Sequence, residues 1–280
     1  MIDVYYDLHI HTGLSPCADD DMTPNDIVGM ALLNRLDLIA VTDHNSFSNA
    51  EAVVKAARRA QEVPEPQETQ GGQETQGGQE ARNGQEAQGA QKEQKAQEGP
   101  GNELIVLPGI EVTTAEEVHV LCLFSHIDIA RGFESELSPF YSPLKNRAEI
   151  FGNQILFDDN DEIIGELERM LFAPTSISFD RLFSLTSEFG GAFIPAHVDR
   201  DSFSVLSNLG FLPPSLPVST VEVSKYGFES GFIDKNTGLF PRKKAVVSSD
   251  AHQLWNISEK EQFLSLPRRD AKAAIDYLRY

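Results

Sequence analysis

The sequence predicts a single α/β domain whose strands curl into a barrel, on three observations. Short apolar, β-branched runs alternate with helical stretches along the chain, a pattern that implies a largely parallel sheet. About seven such strands fit into 280 residues, a length at which single α/β barrels are common. Polar residues collect where the apolar runs end, and in parallel α/β folds those strand ends carry the active site.

The candidate strands are residues 4–11, 36–42, 104–112, 118–124, 192–198, 220–224 and 245–249, and the candidate helices are 24–34, 49–62, 179–189 and 269–278. Thr23 suits an N-cap, Pro24 the first helical position and Asp26 a capping-box site for the first helix. Ser178 and the Gly190-Gly191 pair bracket the third. From Gln67 a hexad repeat intervenes (QETQGG, QETQGG, QEARNG, QEAQGA, QKEQKA), with no aromatic and no branched aliphatic residue. Such a segment cannot bury enough surface to offset its ordering entropy, so residues 64–101 are expected to form a disordered surface insertion. Residues 137–174 are expected to cap the barrel mouth, with FDDNDE as a hairpin turn between Ile155-Leu156-Phe157 and Ile163-Ile164.

The formal charge is −20, from 43 acidic and 23 basic residues. A field of that sign repels nucleic acid, so no duplex partner is expected. The surplus fits either an acidic surface or carboxylates gathered around divalent cations. No apolar run approaches the roughly 18 residues that a membrane helix needs, so no membrane partner is expected. The stretch MIDVYYD has no basic n-region and no apolar h-region, so export is not expected. Two cysteines, Cys17 and Cys122, fit one buried thiol and one candidate ligand in a reducing cytoplasm.

The polar stations repeat one grammar, an apolar strand followed by His, Asp or Glu. YDLHIHT carries His9 and His11, and residues two apart on a strand share a face, so both can reach one cation. AVTDHNS adds Asp43 and His44, LPGIEVTT adds Glu111, IPAHVDR adds His197, and VVSSDAH adds Asp250 and His252. Each has an alternative when read alone: an incidental histidine pair, a helix cap at Asp43-His44, a loop hydrogen bond between Asp250 and His252. Together, with six of seven histidines in or directly after candidate strands, they predict a polynuclear metal site. Imidazole with carboxylate suits Zn, Mn or Fe better than Ca or Mg. His119 alternates with Leu121 and Leu123, which read alone fits a core histidine, and Cys122 faces the opposite side. His126 falls in a loop. Cys17, in SPCADDD, fits a turn or, by its nearness to His11, a ligand.

Taken in order, DLHIHT, VTDHNS, GIEVTT, VHVL, PAHVDR and SSDAH resemble the motifs of the PHP (polymerase and histidinol phosphatase) superfamily of metal-dependent phosphoesterases. The resemblance implies a distorted (β/α)7 barrel and up to three divalent ions (Mn, Fe or Zn). It implies that His9, His11, Glu111 and Asp250 hold the first ion, with Glu111 bridging to a second held also by His119 and His197. His44 and His252 would hold the third, where Cys17 stands at a position that many relatives fill with Asp or His. Family members hydrolyse phosphate esters, among them histidinol phosphate, nucleoside 3′,5′-bisphosphates and short oligonucleotides, by in-line attack of a metal-bridging hydroxide. Arg200 is then either a phosphate clamp or a salt-bridge residue. Asp43 either orients a ligand imidazole or assists proton transfer. The leading expectation is a cytoplasmic phosphoesterase acting on a small phosphorylated substrate, plausibly a nucleotide or nucleoside 3′,5′-bisphosphate. The alternatives are a histidinol-phosphate phosphatase, an exonuclease on short single strands, which the acidic balance disfavours, and a metal-stabilised binding module without turnover.

Overall fold

The computed structural model describes residues 1–62 and 103–280, so the hexad repeat expected to be disordered lies outside the described residues. The chain opens with β1 (Ile2–Ile10), α1 (Pro24–Leu33), β2 (Leu38–Val41) and α2 (Ala50–Gln61). Next come β3 (Ile105–Thr113), β4 (His119–Leu123), α3 (Ile127–Leu137), the short α4 (Ala148–Phe151), β5 (Ile155–Phe157) and β6 (Ile163–Glu166). Then follow α5 (Phe179–Glu188), β7 (Ala192–Pro195), α6 (Val205–Leu209), β8 (Thr220–Val223) and α7 (Lys225–Glu229). The last elements are α8 (Phe232–Lys235), β9 (Lys244–Val247), β10 (Phe263–Leu266) and α9 (Ala271–Arg279). Thr23 accepts from Asp26 N with Pro24 behind it, and Ser178 accepts from Arg181 N, as the sequence suggests. The capping box expected at Asp26 does not form, because Thr23 N donates to Asp21 O. Gly190, at φ +68°, turns the chain out of α5.

Six strands form one sheet in the order β10-β1-β2-β3-β4-β7, while β8 and β9 form a separate parallel pair. Every candidate strand is present, and β10 is an addition. The expectation of a largely parallel sheet does not hold. β1, β2 and β3 run parallel, but β4 is antiparallel to both β3 and β7, and β10 is antiparallel to β1. The link from Thr113 to His119 is a tight turn, too short for the crossover that a parallel neighbour requires.

The sheet curls without a continuous ladder around its full circumference. At one seam Val198 N donates to Glu222 O, and at the other Ile10 bridges to Ala251. The architecture is thus a mixed α/β fold with a curled half-barrel sheet. Inside the curl pack Val4, Tyr6, Leu8, Leu107, Leu121 and Ile194, with Ile275 and Leu278 of α9 covering the end where β8 begins. Outside, α3 and α5 cover Val112, Val120, Cys122 and Phe193, and α1 and α2 cover Ile10, Ile39 and Val41.

One irregularity positions the site. The pairing of β1 with β2 shifts register between Asp7 and Ile10. Before the shift the even-numbered residues Val4, Tyr6 and Leu8 face inward, whereas Ile10 belongs to the outer cluster. The odd-numbered His9 and His11 therefore take over the interior directly above Leu8, the kind of re-aiming that a bulge produces.

Candidate metal centre

Six histidines and two carboxylates converge at the end of the curl where β1, β2 and β7 terminate. His9 Nε2 and His11 Nε2 lie 3.2 Å apart, and Asp250 Oδ1 is 3.2 Å from the first and 3.1 Å from the second. Glu111 stands at the centre. Its Oε1 is 2.8 Å from His119 Nδ1 and 3.2 Å from His197 Nε2, and its Oε2 is 2.8 Å from His44 Nδ1. Three groups have ligand atoms all within 4.8 Å of one another: His9, His11 and Asp250; His44, Glu111 and His119; and His11, His44 and His252. His126 stands apart at the start of α3.

Hydrogen bonds fix the outward nitrogens of three rings. His9 Nδ1 meets the Glu222 carboxylate at 3.0 Å, which can only accept. Ser15 Oγ gives its single proton to Asp43 Oδ1 at 2.7 Å, so at 2.9 Å it accepts from His11 Nδ1. His252 Nδ1 donates to the Asp250 carbonyl at 2.8 Å. Each ring thus turns Nε2 into the cluster, the arrangement typical of metal-ligating histidine. Burial and the neighbouring His252 hold His11 neutral, well below the usual histidine range. Its inward Nε2 then presents a lone pair 3.1 Å from Asp250 Oδ1, two acceptors placed to share one cation. His197 Nδ1 is also buried without a hydrogen-bond partner among the described residues. The donor set fits divalent metal.

The backbone is bent to make this possible. Asn45, His197 and Asp250 adopt φ of +47°, +31° and +53°, a region that costs a non-glycine residue on the order of 1–3 kcal/mol. Asn45 is held there by Thr113 N donating to its Oδ1 and by its own Nδ2 donating to Leu171 O.

Asp43 is buried, and its partners are Thr12 N, Thr12 Oγ1 and Ser15 Oγ at 2.7–2.8 Å. It reaches His11 through Ser15. Arg200 pairs with Asp250 Oδ2 at 2.5 Å and is partly exposed at the cavity wall. Cys17 lies exposed at the rim, and although its surroundings push the thiol up, contacts with His252 and His44 bring its pKa below the ordinary value. A cavity of about 310 Å³ opens over the cluster, walled in part by Phe172, Phe203 and Arg200. Phe203 stacks on His119 with centroids 4.7 Å apart, and Phe172 meets His44 at 5.6 Å. Sequence reasoning missed Glu222, Ser15, Phe172 and Phe203. Glu222 had a signal, as the one charged residue alternating with Val221 and Val223 in a candidate strand.

No family model matches the chain, and no curated protein matches it in sequence. Solved structures do. The lesion-specific endonuclease Q of Pyrococcus furiosus superposes with a TM-score of 0.60 at 15% identity, over 99% of this chain and 56% of that one. The fold is PHP-like. A second endonuclease Q structure, in complex with a 27-mer duplex carrying an abasic lesion at the active site, gives 0.53 at 15% identity, over 90% and 50%. A candidate metal-dependent phosphoesterase of Bifidobacterium adolescentis superposes more loosely, at 0.45 and 15% identity over 88% and 87%. The chain spans about half the length of the endonuclease Q structures it matches.

The duplex complex overturns the exclusion of duplex nucleic acid drawn from net charge. The formal tally counts acids of residues 63–102 and the buried Asp7, Asp43, Glu111 and Glu222 alike. Buried carboxylates balanced by a bound cation would not add to the surface field. As for membranes, among the described residues no helix is long and apolar enough to cross one.

Proposed function

We propose that the protein is a metal-dependent phosphoesterase. The observation that carries this reading is the convergence of six imidazoles on Glu111 and Asp250, with the ligand atoms of His9, His11 and Asp250 within 3.1–3.2 Å of one another. His9, His11 and Asp250 would hold one ion, Glu111 would bridge to a second with His119 and His197, and His44, His252 and Cys17 would hold a third. Cations there would supply the charge that makes water nucleophilic at neutral pH and offsets charge developing on phosphoryl oxygens. Glu222 keeps His9 in the ligating orientation, and Asp43 does the same for His11 through Ser15, as positioning residues. Arg200, at the wall of the cavity, would receive the phosphate, since guanidinium binds its oxygens bidentately. Residues 137–174 bring Phe172 to the cluster and would select the group attached to that phosphate.

A second reading, cleavage of phosphodiesters in nucleic acid, is favoured by the endonuclease Q complex with duplex at its active site. Elemental analysis of the purified protein, then hydrolysis assays with Mn, Fe(II) or Zn, tests both. The substrates are a mononucleotide, a nucleoside 3′,5′-bisphosphate, histidinol phosphate, a short oligonucleotide and a duplex with an abasic site. Bound metal with no ester cleaved would leave only a binding module.

A further inference from the structure

A second cavity, about 480 Å³, adjoins the cluster and shares His197, Arg200 and Asp250 with the first. The two cavities therefore flank the guanidinium that would hold the phosphate, and a group attached to that phosphate has room to extend into either. The second cavity differs in character. Phe228 and Trp255, 51% and 67% exposed, stand in its wall. Asn256 and Gln262 add hydrogen-bonding amides. Its two cations are already balanced, Arg200 by Asp250 and Lys225 by Glu261 at 2.9 Å. Glu229 and Glu259 also line it and have no ion-pair partner among the described residues. Large exposed aromatic faces beside amides suit a planar heteroaromatic ring, whereas surplus carboxylate repels an anion.

We propose that this cavity is a subsite for an uncharged planar heteroaromatic group, such as a nucleobase, and that it disfavours a second phosphate. It deepens the phosphoesterase reading and depends on that reading only for the link between the ring and the reacting phosphate. A nucleobase reaches it on a free nucleotide or on a strand.

Trp255 is the chain's single tryptophan, so intrinsic fluorescence reports on the subsite without turnover. Titrating the metal-loaded protein with adenosine should quench it saturably, while ribose should not. Phe228→Ala should weaken adenosine binding about tenfold, the scale of one lost stacking face. Glu259→Gln, at an exposed position, should leave adenosine binding intact. Adenosine 5′-phosphate should bind at least as well as adenosine 3′,5′-bisphosphate, with the gap narrowing in Glu259→Gln. Tighter binding of a dinucleoside monophosphate than of adenosine 5′-phosphate would identify a strand as the source, and equal or weaker binding a free nucleotide. No saturable quench by adenosine, equal quench by ribose, or preference for the bisphosphate overturns the assignment. Adenosine binding with no ester hydrolysed would remove the phosphoesterase reading and leave the subsite standing. Hydrolysis without adenosine binding would do the reverse.

Discussion

His9 Nδ1 lies 3.0 Å from Glu222 Oε2, and the same carboxylate oxygen accepts from His197 N at 3.1 Å. Both side chains are shut off from solvent. One carboxylate thus fixes the ring orientation of His9 and the strained turn that carries His197. Glu222→Gln should lower metal affinity by about 10–100-fold, the usual cost of losing a partner behind a ligating histidine. Competition with a chromogenic chelator measures it, and unchanged affinity in a folded variant would remove Glu222 from the site.

Metal uptake should release protons. Burial works to strip His9 and His44 of their protons, but neighbouring carboxylates win. Glu222, then Asp250 and Glu111, hold His9 well above its ordinary range, and Glu111 raises His44 to about 10. Groups with raised pKa values carry their protons at pH 7 and must shed them before their nitrogens can ligate. Affinity should therefore rise with pH across the neutral range and flatten above about 10 for the His44 contribution. Calorimetry in buffers of different ionisation enthalpy reads the released protons directly. A pH-independent affinity would show that the cation does not contact these rings.

The histidine pairs were legible because they sit at strand ends, where an apolar run stops abruptly. Cys122 was legible for the same reason: alternation with His119 and Leu121 sends it outward, against Thr186. His119 shows the limit of alternation. It faces inward with Leu121 and Leu123, as a core residue would, but the interior at its end of β4 is the metal cluster and not apolar packing. The register shift in β1 was invisible, since nothing in Asp7–Ile10 differs from a regular strand until β2 is laid beside it. Phe172 and Phe203 come from loops that only the folded chain brings to the cavity. Net charge misled about nucleic acid because it is a sum without positions.

The two cysteines should separate cleanly by reactivity. Burial pushes the Cys122 thiol up to about 12, so it stays protonated and inert. Cys17 is exposed, and its contacts with His252 and His44 favour the thiolate. Iodoacetamide should modify Cys17 alone in the chelator-treated protein, as read by peptide mass spectrometry. Added Zn should protect Cys17 if it ligates the third ion, and Cys17→Ala should then lower metal stoichiometry. Full alkylation in the presence of Zn, with unchanged stoichiometry in the variant, would exclude it as a ligand.

Gly152 ties residues 137–174 to the loop after the histidine pair. At φ +97° a side chain is strained, and a Cβ there would lie 2.1 Å from the Pro16 carbonyl oxygen. The same segment is held by Ile155 N donating to Gly13 O and by Asn49, whose side chain bonds Ile155 O and Phe157 N. Gly152→Ala therefore combines backbone strain with a contact that only a shift of the segment relieves, and should cost about 2–3 kcal/mol by urea unfolding. Gly210→Ala supplies the control, because Gly210 has φ +79° but open space around it, so it carries the strain alone, about 1 kcal/mol. The ligands of the first two ions lie on other elements and should keep their metal in Gly152→Ala, whereas the third ion, beside Cys17, is the one a shift of Pro16 would loosen. The ratio of rates between substrates of different size should change. Equal destabilisation by the two variants would show that the segment does not press on Pro16, and unchanged substrate ratios would show that it does not shape the cavity.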